Sequence, residues 1–170
     1  MIAKTIHELS LILGYKEQIL TVYKDSNGQP AYETVLPQLS TDRLMAASVI
    51  AIVKATTGLI VDCKFDNADN SYKLVDIDTL KEFIKINNLA RYKYVSERRD
   101  CDDFSFMMQG DVTHWDSDLA FGIIWGYKPD GSGHAWNWCI GTDLNLWFIE
   151  PQTNKVFRPV ELWRIIKLEM

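Results

Sequence analysis

No apolar run in this 170-residue chain is long enough to cross a bilayer. The longest, Leu44 to Val53, is interrupted by Ser48 and closed by Lys54. The N-terminus carries Lys4, His7 and Glu8 without a small-residue cleavage pattern, so no signal peptide is expected. A cytoplasmic location is the default, with release from the cell left open. Cysteine is scarce and odd in number (Cys63, Cys101, Cys139), which gives no disulfide framework and makes reduced thiols the default. Only His7, His114 and His134 supply imidazoles. With no CxxC or HxxxH spacing, a zinc site from Cys101, His134 and Cys139 is disfavoured. Repeats and low-complexity segments are also missing. The net charge of −5 argues against nucleic acid or a membrane surface as partner.

What is present is enough for one globular domain spanning 1–170, since 47% of the residues are hydrophobic and 24% charged. Residues 1–40 read as an N-terminal extension or hairpin, with Ile19 to Tyr23 and Tyr32 to Leu36 as strands about the turn cluster Asp25-Ser26-Asn27-Gly28. Residues 41–109 form a helical part. Thr41-Asp42 caps one helix that stops at Gly58, and Asp78 caps a second within Asp76 to Leu89. A short helix follows from Cys101 to about Gln109. Residues 110–170 then supply short strands at Leu119 to Tyr127, His134 to Ile140, Leu144 to Ile149 and Lys155 to Phe157, closed by an amphipathic helix over Val160 to Leu168. Helices first and antiparallel strands afterwards is α+β organisation.

Three segments carry the chemistry: Asp100-Cys101-Asp102-Asp103-Phe104, Gly133-His134-Ala135-Trp136-Asn137, and Trp147-Phe148-Ile149-Glu150-Pro151-Gln152-Thr153. A cysteine, a histidine and a carboxylate in that order suit a thiol hydrolase or acyltransferase. A helix starting at Cys101 lowers its thiol pKa, whereas Asp100, Asp102 and Asp103 raise it. Either the imidazolium of His134 or a divalent cation on the aspartates resolves that conflict, and three acids in four residues suit Ca²⁺. Plain helix capping is the alternative. If Ile140 faces Leu144 across a three-residue loop, His134 and Glu150 become cross-strand neighbours on one face. His114 is the second choice of base, and Gln152 or Asn137 could replace Glu150 in orienting the imidazole.

Together these motifs, from roughly Tyr94 to Phe157, resemble the papain-like/transglutaminase-like cysteine peptidase superfamily. The likeness is greatest to the C-terminal protease domain of the fairy-ring mushroom agglutinin and its small microbial relatives. The resemblance implies a nucleophile at a helix N-terminus packed on an antiparallel sheet. It implies Cys101 as nucleophile, His134 as general base and acid, Glu150 as orienting carboxylate, and Asp100, Asp102 and Asp103 as calcium ligands. No glutamine lies just upstream of Cys101, so its backbone N–H and a donor such as Tyr92 or Tyr94 would have to hold an oxyanion.

Three functions follow as expectations. The first is a cysteine peptidase or amidase acting on a peptide or protein substrate through a thioester, without an organic cofactor and with Ca²⁺ as a candidate ion. The second is a transamidase, deamidase or peptidoglycan amidase with the same residues. The third is a non-catalytic binding or assembly module.

Overall fold

The computed structural model describes residues 20–24, 30–34, 36–57, 64–66, 69–159 and 164–170. The chain divides into two units, Met1–Pro37 and Gln38–Met170. In the first, β1 (Leu20–Lys24) and β2 (Pro30–Thr34) pair antiparallel with Val22 opposite Tyr32. The turn cluster at 25–28 lies outside the described residues.

The second unit opens on a strand, β3 (Arg43–Met45), where helix was expected. The Arg43 guanidinium accounts for this, donating to the Asp118 carboxylate at 2.7 Å and to the Ser71 carbonyl at 3.1 Å. These bonds hold Arg43 beside the later strand Ser71–Lys73 and delay the helix α1 (Ala46–Thr57) to Ala46. Next come β4 (Lys64–Asp66), β5 (Ser71–Lys73) and α2 (Ile77–Asn87). The α2 cap is Asp76 rather than Asp78, because the Asp76 carboxylate accepts the N–H groups of Asp78 at 3.1 Å and Thr79 at 2.9 Å. Such a cap is worth about 1 kcal/mol. Asn88 ends α2 in the left-handed region, at φ 50°.

Helix α3 (Cys101–Trp115) runs beyond the expected end at Gln109 and is followed by β6 (Phe121–Tyr127), β7 (Gly133–Ile140), β8 (Leu146–Glu150), β9 (Lys155–Phe157) and β10 (Arg164–Glu169). Six strands form one sheet in the order β4-β10-β6-β7-β8-β9, with only the β4–β10 pair parallel. β7 lies inside it and is buried from His134 to Ile140, because both faces are covered. One face carries Trp136, Trp138, Ile140 and Phe148 into a core with Val49 and Val53 of α1. Against the other lies α3, linked by a buried Asn137–Ser105 hydrogen bond and by Phe106 edge-on to Trp125.

The C-terminal amphipathic helix expected over Val160 to Leu168 is absent as such: 160–163 fall outside the described residues and Arg164–Glu169 is β10. Ile165, Ile166 and Leu168 fit either period, and the sheet decides by offering hydrogen-bonding partners on both edges of the segment. Gly122 permits the approach, since a Cβ there would lie 1.8 Å from the Glu169 carbonyl oxygen. The expected α+β arrangement, papain-like/transglutaminase-like with N-terminal helices leading, therefore gives way to a sheet-dominated architecture. Among the described residues ten strands accompany three α-helices, and strands come first. No helix of the described residues is long and apolar enough to cross a membrane.

Candidate functional site

Cys101 is the first residue of α3, half-buried, with Asp100 before it in extended conformation. The aspartates fix where the helix begins. The Asp100 N–H donates to Asp103 Oδ2 at 3.2 Å, and Asp100 Oδ2 accepts the Glu97 N–H at 3.1 Å. One turn on, the buried Ser105 hydroxyl donates to the Cys101 carbonyl at 2.9 Å.

His134 stands at the start of β7, about nine-tenths buried, its ring stacked on Trp136. Its Nε2 lies 2.6 Å from Glu150 Oε2, and Glu150 Oε1 accepts the Gln152 N–H at 3.2 Å. The imidazole is thus held by a carboxylate that is itself held, leaving Nδ1 for the Cys101 sulfur. A hydrogen bond joins His134 to Cys101, and the Ala135 N–H donates to the same sulfur. The route to this arrangement differs from the expected pairing. Ile140 pairs with Leu146, not Leu144, because the hairpin loop is five residues long and Leu144 sits within it at φ 56°. The register moves by two residues, which keeps every side chain on its face. Glu150 reaches His134 along the diagonal instead of directly across.

The electrostatics follow from these contacts. The His134 hydrogen bond lowers the Cys101 thiol pKa; burial opposes it, while the Ala135 N–H adds to it. Burial disfavours the imidazolium, but hydrogen bonds to Cys101 and Glu150 outweigh it and raise His134 to about 9. Thiolate and imidazolium therefore stabilise one another. The neighbouring charge of Asp100 works against the thiolate, as the sequence implies, and the imidazolium wins. Asp100 and Asp102 share a hydrogen bond, which lowers Asp100 and raises Asp102.

Donor atoms of Asp100, Cys101 and Asp102 converge within 4.8 Å, while Asp103 is committed to the Asp100 N–H. Two of the three expected calcium ligands thus come together and the third points to the helix cap. His114 lies in the last, exposed turn of α3 and not in a polar loop. Thirteen residues of helix put it roughly 20 Å from Cys101, too far to serve as its base. Cys139 is fully buried, which pushes its thiol pKa well up, and it joins no ligand cluster among the described residues. Cys63 lies outside the described residues. Asn137 uses its amide on the carbonyls of Ser105 and Gly122. Tyr92 sits among the guanidinium groups of Arg91 and Arg99. The exposed Tyr94 stands near enough to Cys101 that desolvation and then the charges of Asp100 and Cys101 raise its phenol. The Ala135 and Gln152 N–H donors had no sequence signal, since any residue type offers them.

The stretch 72–156, half of the chain, matches the family model described as Agglutinin C-terminal. Similar solved structures include the following two. One is titled "PSL1a-E64 complex", at 22% identity and a TM-score of 0.68, covering 88% of this chain and 56% of that one. The other is a Polyporus squamosus lectin bound to the human-type influenza-binding epitope Neu5Aca2-6Galb1-4GlcNAc. It has 21% identity and a TM-score of 0.65, covering 92% of this chain and 63% of that one. The chain spans less than two thirds of either, and such identities speak for the fold alone. No curated protein matches the chain. These findings correct the expected membership of the papain-like/transglutaminase-like peptidase superfamily, since the matching family is described as an agglutinin region and a neighbour as a lectin. The fold is the one shared with these structures. The cysteine peptidase or amidase reading, its transamidase and deamidase variants, and the descriptors hydrolase and thiol protease give way with it.

Proposed function

The chain belongs to the agglutinin C-terminal family, and from that membership and the site geometry we propose a binding module whose recognition centre is the Cys101 thiolate. The observation that carries this reading is the Cys101–His134–Glu150 cluster, in which a buried, carboxylate-held imidazole is hydrogen-bonded to a half-buried sulfur. Elsewhere in such a binding protein a cysteine would be a buried packing residue, as Cys139 is.

The ligand class that suits the centre is a small electrophile. The thiolate bonds to an electrophilic carbon, a carbon–oxygen bond of that ligand opens, and the His134 imidazolium gives its proton to the oxygen released. The adduct is held rather than turned over. A neighbouring structure is titled as a complex with E64, which makes that compound a direct probe. A hard cation such as Ca²⁺ belongs to the proposal at Asp100 and Asp102, where it would relieve the thiolate of their charge.

The test is intact-mass analysis of the protein incubated with E64, with Ca²⁺ and with chelator, followed by peptide mapping. One adduct on Cys101, lost in Cys101→Ala and slowed at least tenfold in His134→Ala, is the expected result. Labelling spread evenly over Cys63, Cys101 and Cys139 would refute it. Binding of the trisaccharide Neu5Aca2-6Galb1-4GlcNAc by a protein whose Cys101 stays inert would move recognition to another surface.

A further inference from the structure

Asn137 is the one polar residue buried in the middle of the central strand, and it is completely inaccessible to solvent. Its Nδ2 donates to the Ser105 carbonyl of α3 at 3.0 Å and to the Gly122 carbonyl of β6 at 3.2 Å. Neither carbonyl depends on it. Ser105 lies inside α3, where the helix supplies its own i+4 donor, and Gly122 sits in the ladder opposite Trp138. The other amide atom, Oδ1, is buried without a hydrogen-bond partner among the described residues. Such an orphan costs roughly 1–3 kcal/mol. For packing alone, an apolar side chain of the same shape would serve better.

The position of the tether explains its retention. Ser105 is one helical turn from Cys101 and bonds back to the Cys101 carbonyl. Asn137 is two residues along β7 from Ala135, whose N–H donates to the Cys101 sulfur, and three from His134. One strand therefore presents both partners of the sulfur and, through Asn137, also clamps the turn of α3 that carries it. The second bond, to Gly122, ties the clamp to the neighbouring strand so that it cannot swing with the helix.

The geometry points to Asn137 as the positioning residue of the thiol site: its amide sets the height of the first turn of α3 against β7, so that the sulfur meets the His134 ring and the Ala135 N–H together. This rests on the thiol-centred reading above, and the experiment separates the two.

Asn137→Leu keeps the branched shape and removes both donors. Three quantities are compared with wild type: thermal stability, the rate of Cys101 alkylation by iodoacetamide at fixed neutral pH, and the ¹⁵N shifts of the His134 ring. A folded variant of near wild-type stability, with alkylation reduced about tenfold and shifted ring resonances, is expected. Asn137→Gln restores a donor and should recover part of the rate. Where Asn137→Leu does not fold, Asn137→Ala makes the same comparison. Wild-type alkylation rate and ring shifts in the donor-less variant would overturn the inference while leaving the thiol site standing. If wild-type Cys101 itself reacts no faster than Cys139 in the unfolded chain, the thiol-centred reading fails, and this inference with it.

Discussion

At the scale of single residues, the pair His134–Glu150 makes the sharpest statement about pH. A histidine raised in the folded state stabilises the fold fully below its ordinary value of 6.5, and that contribution disappears as pH rises through about 9. Glu150→Gln removes the negative charge and leaves the shape. The wild type should therefore be more stable than Glu150→Gln by about 2 kcal/mol at pH 6, in keeping with a charge-assisted bond. The difference should shrink between pH 6.5 and 9 and vanish above that, as read by urea denaturation at several pH values. A difference independent of pH would mean that the imidazole is not the group responding.

Much of this juxtaposition was legible from parity. His134 and Glu150 have to share a sheet face if the strands alternate, and a register error of two residues leaves that conclusion unharmed. The register itself was not legible. It depends on Leu144 entering the left-handed region inside a loop held by the Asp143 carboxylate, which accepts the Asn145 N–H at 3.1 Å. A leucine gives no local sign of that. Asp103 was open to two readings for a related reason, because capping and metal ligation ask for the same residue type at the same place.

At the scale of elements, the C-terminal strand is the place where local pattern and tertiary context part. Val160 to Leu168 is apolar at intervals that either a helix or a strand can use. What selects the strand is the pair of open edges on β4 and β6, which no local window contains. The glycines of β6 are the mark left in the sequence by this choice, and Gly122→Ala tests it. Its Cβ would lie 1.8 Å from the Glu169 carbonyl oxygen, so β10 must shift. A loss of about 3 kcal/mol or more is expected by denaturation, at the upper end of overpacking penalties. Accelerated amide exchange should be concentrated in β10. Uniform exchange with unchanged stability would show that β10 does not pack against Gly122. The α2 cap shows the milder form of the same problem: Asp76 and Asp78 are equally good candidates by type, and only the carboxylate that collects the N–H groups of Asp78 and Thr79 is the cap.

At the scale of the whole molecule, the order of cysteine, histidine and carboxylate was readable, and so were the helix that opens at Cys101 and the four strands after it, but the strand β10 was not. The three motifs suggested a peptidase class by resemblance and the leading helices an α+β one, whereas a six-stranded sheet with helices against it is what positions the site. The chemistry of a held thiolate is common to capture and to turnover, so the residues alone could not separate them. The chain belongs to the family described as Agglutinin C-terminal, and binding rather than turnover is the proposal drawn from that membership.

The measurement that bears most directly on the binding reading counts product against sites. The purified protein is incubated with a large excess of a chromogenic peptide ester or amide, and released product is divided by the concentration of reactive Cys101. A thiolate that captures and holds its ligand should release at most one equivalent and then stop, with the acyl group found on Cys101 by mass spectrometry. Continuous release of many equivalents, abolished by Cys101→Ala, would contradict it and make this site one of turnover.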